Sequence, residues 1–97
     1  MLLHHTKPRY KHPALELVAE LNGEIVGIID VEAEPAPGEL GYARDSRCGF
    51  VWEFGVRPDH RGEGIARRLV EAAQEWLDKR GIKRMEFWSM DETAQHV

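Results

Sequence analysis

The pattern of polar and apolar positions changes period twice along this chain. Residues 15–21 (LELVAEL) and 25–31 (IVGIIDV) are strand-like runs that mix alternation with continuous apolar stretches, and Asn22-Gly23 separates them. Two such runs around a two-residue Asn-Gly loop predict a β-hairpin closed by a type I′ turn. Alternation returns at 50–56 (FVWEFGV), where Phe50, Trp52, Phe54 and Val56 are expected on one strand face and Val51, Glu53 and Gly55 on the other. Gly55 inside that pattern predicts a bulge or a close backbone approach, and Pro58 ends the strand. From Ile65 to Arg80 the period becomes helical. Ile65, Leu69, Ala72, Ala73 and Trp76 form a stripe, broadened by Ala66, Val70 and Leu77. Gly81 stands where a left-handed residue closes a helix, and a further strand is expected in 82–90 (IKRMEFWSM).

The rest of the chain is punctuation between these elements. Pro8 and Pro13 mark residues 1–13 as an irregular segment, ahead of a single domain over 14–97. Residues 32–49 hold Pro35, Pro37 and three glycines and read as a long surface loop, either functional or a plain connector. Glu32, Glu34 and Glu39 are expected there as solvated acidic positions. Residues 91–97 (DETAQHV) read as the start of a helix capped by Asp91. The order strand, glycine turn, helix, strand predicts parallel neighbours joined by a crossover, hence an α/β fold with a mixed sheet.

Composition narrows the function classes. A chain of 97 residues with 42% hydrophobic and 31% charged positions suits one globular domain near the small end of what buries a core alone. No apolar run is long enough to span a bilayer and no signal-peptide pattern opens the chain. The single cysteine, Cys48, excludes an intrachain disulfide framework, so a cytoplasmic setting is expected, with Cys48 a buried or loop thiol rather than a nucleophile. A net charge of −4 argues against nucleic acid as the main partner and is compatible with a cationic amine. His4, His5 and His12 offer no compact ligand set, so no metal site is expected.

The chemistry concentrates at the strand–helix joint, RPDHRGEGIARRL over 57–69. A helix N-terminus presents unpaired N–H groups and the positive end of the dipole. Gly62 and Gly64 would clear side chains from that backbone, Ala66 would keep the first turn slim, and Arg61 with Arg67 or Arg68 would add charge. The joint can be read as a cradle for a phosphate or pyrophosphate, or as a tight turn whose glycines only supply positive φ. No Gly-Lys-Ser/Thr follows and the three-glycine dinucleotide fingerprint is missing, so a nucleoside triphosphate loop and a Rossmann unit are both disfavoured.

The string FVWEFGVRPDHRGEGIARRLVEAAQEWLDKRGIKRMEFWS resembles the core motif of the GNAT superfamily of acyl-CoA-dependent N-acetyltransferases. Arg61, Gly64 and Ala66 match its Arg/Gln-x-x-Gly-x-Gly/Ala positions, with Val56 and Pro58 at the preceding strand end, and the hairpin resembles the family's second and third strands. The resemblance implies acetyl-CoA as co-substrate. It implies a pyrophosphate held by Arg61, Gly62, Glu63, Gly64, Ile65, Ala66 and Arg67, and a pantetheine arm paired along a bulged strand at Phe54, Gly55 and Val56. It implies transfer of acetyl to a primary amine of a small molecule or peptide, with Glu53 as the strand carboxylate that serves as base. His60 is the other candidate base, or a turn residue. The alternative within the same fold is a catalytically inactive acyl-CoA-binding or regulatory module. Family members carry a further C-terminal helix and strands, and their tyrosine acid would fall one residue past Val97. Apolar edges near Phe87, Trp88 and Met90 would then be uncovered, and a homodimer is expected.

Overall fold

Asn22 and Gly23 both take positive φ, 53° and 81°, as the two central residues of a type I′ turn must. They close a hairpin between β2 (Ala14–Leu21) and β3 (Glu24–Ala33), with Leu21 opposite Glu24 and Ala14 opposite Glu32. The computed structural model describes residues 1–6, 10, 12–40 and 46–87. Around the hairpin, β1 (Leu2–Thr6), β4 (Cys48–Val56) and β5 (Arg84–Phe87) complete a five-stranded sheet in the order β1-β2-β3-β4-β5. All neighbours are antiparallel except β4 and β5, the parallel pair expected on either side of the helix α1 (Ile65–Asp78). The expected helix start at 91–97, Trp88, Ser89 and Met90 lie outside the described residues.

β1 corrects the expectation of an irregular start. Leu2–Thr6 pair antiparallel with β2, Leu3 against Ala19 and Thr6 against Glu16. Neither Pro8 nor Pro13 falls within the bounds of β1 or β2, so neither interrupts the pairing. Leu3 joins the core side of the sheet, while the Thr6 hydroxyl donates to Glu16 and His4 lies 3.4 Å from Glu20 on the other. A proline inside a strand would have cost a ladder bond; one beyond its end costs nothing.

α1 packs over one face of the sheet. Its buried residues Ile65, Leu69, Ala73 and Leu77 follow the helical period and meet Leu15, Leu17, Ile29, Val31 and Val51. The stripe is narrower than predicted, since Ala66 is exposed and Ala72, Val70 and Trp76 are half-buried. The helix stops at a two-bond cap: the Ile82 amide donates to the Leu77 carbonyl (3.0 Å) and the Gly81 amide to Asp78 (3.0 Å), with Gly81 at φ 74°. Ile82 and Leu77, both fully buried, supply the hydrophobic contact of that cap. The strand after it is accordingly shorter than predicted and starts at Arg84.

The bulge in β4 lies three residues before Gly55, where it was expected. Asp30 faces Glu53, but Val31 faces Val51, so Trp52 is the extra residue. Gly55 sits in regular register opposite Ile28. The inserted residue also redistributes the faces. Val51 packs under α1, and after the bulge Phe54 and Val56 do too, whereas Phe50 and Trp52 stay together on the far face with rings stacked at 5.7 Å. The simple alternation that put Phe50, Trp52, Phe54 and Val56 on one face therefore fails at Trp52.

Of the three acidic positions after the hairpin, Glu39 is exposed as expected, whereas Glu32 and Glu34 belong to the packed structure. Glu32 and Glu34 are buried, at 6% and 0% exposure, because β3 runs on to Ala33 and the following turn folds back on it. Glu32 accepts the Trp52 indole N–H (3.0 Å) and Glu34 accepts the Leu40 amide (3.1 Å). Arg47 donates to the Glu34 carbonyl at 2.7 Å, tying the loop's two ends together. The Cys48 thiol is buried and donates to the Gly49 carbonyl at 3.4 Å.

Candidate functional site

The candidate cofactor-binding residues gather where β4 ends and α1 begins. Pro58–His60 form a single turn of 3₁₀ helix, and Arg61 then returns to extended backbone. Gly62 and Gly64 take φ of 83° and 81°, a region that side chains with a Cβ rarely adopt. Gly64 is the N-cap of α1 and offers no capping side chain. The first helical bond runs from the Arg68 amide to the Gly64 carbonyl, so the amides of residues 65–67 precede any helical acceptor. No acidic residue stands in the first turn to answer them. Among the described residues, the backbone thus leaves a cluster of donors at the positive end of the dipole with no helical acceptor and no side-chain cap.

These amides border a cleft of ≈ 420 Å³. Phe54, Gly55 and Val56 form its strand wall, and Ile65, Ala66 and Arg67 form its helix wall. His60, Arg61, Gly62 and Gly64 close it from the joint. A Cβ built on Gly55, Gly62 or Gly64 would meet nothing within 4 Å, so the glycines open space instead of filling a packed gap. The sequence-predicted cofactor residues are all brought to this cleft except Glu63. His60, which the sequence suggested as a base or turn residue, lines it as well. Its place just before Arg61 in the joint was the signal available.

Charge around the cleft is mostly positive. Arg57 is engaged with Glu24 at 3.5 Å and Asp59 at 3.7 Å, and Arg67 with Glu71 at 3.8 Å, all exposed pairs of little energetic weight. Arg61 and Arg68 enter no ion pair among the described residues. Glu63 turns instead to His60, its Oε2 lying 3.1 Å from the imidazole Nδ1.

Along β4, the parallel pairing with β5 runs from Cys48↔Arg84 to Val51↔Phe87. The strand itself continues to Val56, paired on its other side with β3 as far as Gly27. Between Trp52 and Val56 one edge of β4 thus extends past the last parallel pair among the described residues. Phe87 reaches under this edge, its ring 5.4 Å from that of Phe54, and is half exposed.

Glu53 points away from α1. Its carboxylate meets those of Glu16 and Asp30 on the far face of the sheet, with ligand atoms within 4.8 Å of one another. Asp30 is buried and accepts the Tyr10 hydroxyl at 2.7 Å. The bulge at Trp52 is what carries Glu53 to this side, directly beside the strand residues that wall the cleft. Among the described residues, no helix is long and apolar enough to cross a membrane.

The chain has counterparts among known proteins. The model of the acetyltransferase (GNAT) family matches residues 3–97. An acetyltransferase of Pectobacterium atrosepticum is 40% identical over 73 residues, which is 75% of this chain and 44% of that protein. The chain thus spans about half the length of the curated relatives it matches. Among solved structures, an apo aminoglycoside 6′-N-acetyltransferase from Acinetobacter haemolyticus superposes with a TM-score of 0.69 at 23% identity, over 90% of this chain and 59% of that one. A second aminoglycoside N-acetyltransferase, in complex with CoA, also gives 0.69 at 23% identity, over 86% and 61%. With the family model covering nearly its whole length, this chain belongs to the acetyltransferase (GNAT) family.

Proposed function

We propose that this chain carries the acetyl-CoA site of an N-acetyltransferase whose acceptor is a primary amine of a small molecule or peptide. The observation that carries this reading is the cleft at the β4–α1 joint, with the amides that open α1 on one wall and, on the other, strand residues that run past the last parallel pair among the described residues. The donor has two recognisable ends, and the two walls suit them. A pyrophosphate fits the amides of Arg61, Gly62 and residues 64–66, with Arg61 and Arg67 adding charge-assisted hydrogen bonds. The pantetheine arm, which carries amides of its own, fits the edge of β4 at Phe54–Val56 as an added strand would. A family neighbour solved in complex with CoA supports the same choice of ligand.

Acetyl transfer then requires the acceptor ammonium to lose a proton. Its nitrogen attacks the thioester carbonyl, a C–N bond forms, the C–S bond breaks, and the leaving CoA sulfur takes up a proton. Glu53 is our candidate base, acting directly or through one water, because a positioned base contributes about 10²–10⁴-fold. Its carboxylate shares the far face with Glu16 and Asp30, so the acceptor side of the strand is acidic, as a cationic amine would favour. Backbone N–H groups of the same edge would polarise the carbonyl as charge develops on its oxygen.

Calorimetric titration with acetyl-CoA, with ATP and NAD as controls, tests the reading. Saturable binding of acetyl-CoA alone is expected, and Gly64→Val is expected to abolish it. A folded protein that binds none of the three refutes the assignment, and so does a Gly64→Val variant that binds normally. Thiol release in the presence of aminoglycosides or of peptides with an N-terminal alanine separates an enzyme from an inactive acyl-CoA-binding module.

A further inference from the structure

We infer that His60 is a positioning residue that holds Glu63 away from the uncapped start of α1 and so keeps that start available to an anion; the inference rests on the reading of the cleft given above. Glu63 is the sole carboxylate between Gly62 and Arg68 and sits one residue ahead of the N-cap Gly64. A carboxylate at that position is drawn to the same unpaired amides and the same positive dipole that a phosphate would use. Left to itself, it would occupy the donors or repel the incoming ligand. The structure places it elsewhere, against His60. Its Oε2 lies 3.1 Å from the Nδ1 of His60, and it is absent from the cleft lining although the residues on both sides of it are present.

His60 is built to hold that contact. Its side chain is 21% exposed, against 49% for Glu63, so the imidazole is the more enclosed partner and lies in the cleft wall. The 3₁₀ turn Pro58–His60 fixes the imidazole's backbone, its His60 amide donating to the Arg57 carbonyl at 2.9 Å. Asp59 lies 3.8 Å from Nε2, on the other side of the ring. The charged groups around the pair are then Asp59 and Arg57 from the turn, Arg61 from the joint and Arg67 from the helix. With Glu63 clasped, the cleft-facing charges are the two arginines, and the first turn carries no acid.

Four proteins test this: the wild type, His60→Ala, Glu63→Gln and the double variant, each titrated with acetyl-CoA and separately with inorganic pyrophosphate. His60→Ala is expected to weaken both ligands about tenfold, because the freed carboxylate competes for the amides. Glu63→Gln is expected to bind as tightly as wild type or tighter, and the double variant to recover to within about twofold of it. That recovery is the readout a merely structural histidine would not give, and thermal unfolding of each variant registers any loss of fold. The inference is overturned if His60→Ala binds normally, if the double variant stays as weak as His60→Ala, or if Glu63→Gln alone weakens binding. The last criterion stands even if His60→Ala does not fold. The pyrophosphate series keeps the two readings apart. Failure of the wild type to bind acetyl-CoA sinks the proposed donor while pyrophosphate still reports on the clasp, and failure to bind either ligand sinks both.

Discussion

Gly49→Ala is expected to destabilise this domain by forcing α1 off the sheet. An alanine Cβ at residue 49 would lie 2.5 Å and 2.6 Å from the two methyl carbons of Leu77 and 3.1 Å from its Cγ. Carbon atoms prefer about 3.5–4.0 Å, so the overlap is about 1 Å and reaches past the flexible tip of the side chain to its branch point. Leu77 has no way out. It is fully buried, packed against Ile82, and its own carbonyl accepts the Ile82 amide in the helix cap. Overpacking of this kind costs about 1–3 kcal/mol. Lower entropy of the unfolded chain returns about 0.4–1 kcal/mol for a Gly-to-Ala change. At mid-range the net loss is about 1.3 kcal/mol, which at about 4–8 °C per kcal/mol for a domain of this size lowers Tm by roughly 5–10 °C. Thermal unfolding followed by circular dichroism measures it. Trimming the partner isolates the clash: Gly49→Ala in a Leu77→Val background is expected to cost less than in the wild type. A Tm within about 2 °C of wild type, or an undiminished penalty in the Leu77→Val background, would refute the claim that helix and sheet meet at this glycine.

Three further outcomes are expected. Glu53→Gln should lower turnover by about 10²-fold or more in a thiol-release assay while leaving the acetyl-CoA Kd within about twofold; equal losses in both would remove Glu53 from the base role. Tyr10→Phe should cost about 1–2 kcal/mol in chemical denaturation, since it deletes the hydroxyl that donates to the buried Asp30 carboxylate at 2.7 Å, and a neutral effect would discount that bond. Gly23→Ala should cost about 1 kcal/mol, read as a lower Tm, because a Cβ there meets nothing within 4 Å and only the φ of 81° is penalised; an unchanged Tm would argue against the type I′ turn.

What could be read from the residues divides along a physical line. The hairpin and the helix were legible because their signals are local: Asn22-Gly23 has one favoured turn, and the stripe through Ile65, Leu69, Ala73 and Leu77 has one helical face. β1 was not, because five residues with two apolar positions carry no period, and Leu2–Thr6 become a strand only by pairing with β2. The buried glutamates failed for a related reason. Glu32 and Glu34 look solvated beside Pro35 and Pro37, and their partners, the Trp52 indole and the Leu40 amide, are brought to them only by the fold.

The bulge is the most instructive of these, since it decides the site. Period-two reasoning treats every residue of β4 as one step, and a glycine is the natural place to suspect an extra one. The extra residue is Trp52 instead, whose large ring finds its own support by stacking on Phe50 and donating to Glu32. Once that step is inserted, Phe54 and Val56 turn under α1 and wall the cleft, while Glu53 is delivered to the opposite face beside Asp30 and Glu16. A strand in perfect alternation would have put Glu53 on the helix side and Phe54 on the acidic side, separating neither the proposed anion-binding wall from the acid nor the proposed acceptor face from the apolar core. The sheet defect thus sorts the two halves of the proposed reaction to the two faces of one strand. Deleting Trp52 should restore alternation and undo that sorting, so such a variant is expected to lose acetyl-CoA binding together with turnover, where Glu53→Gln loses turnover alone.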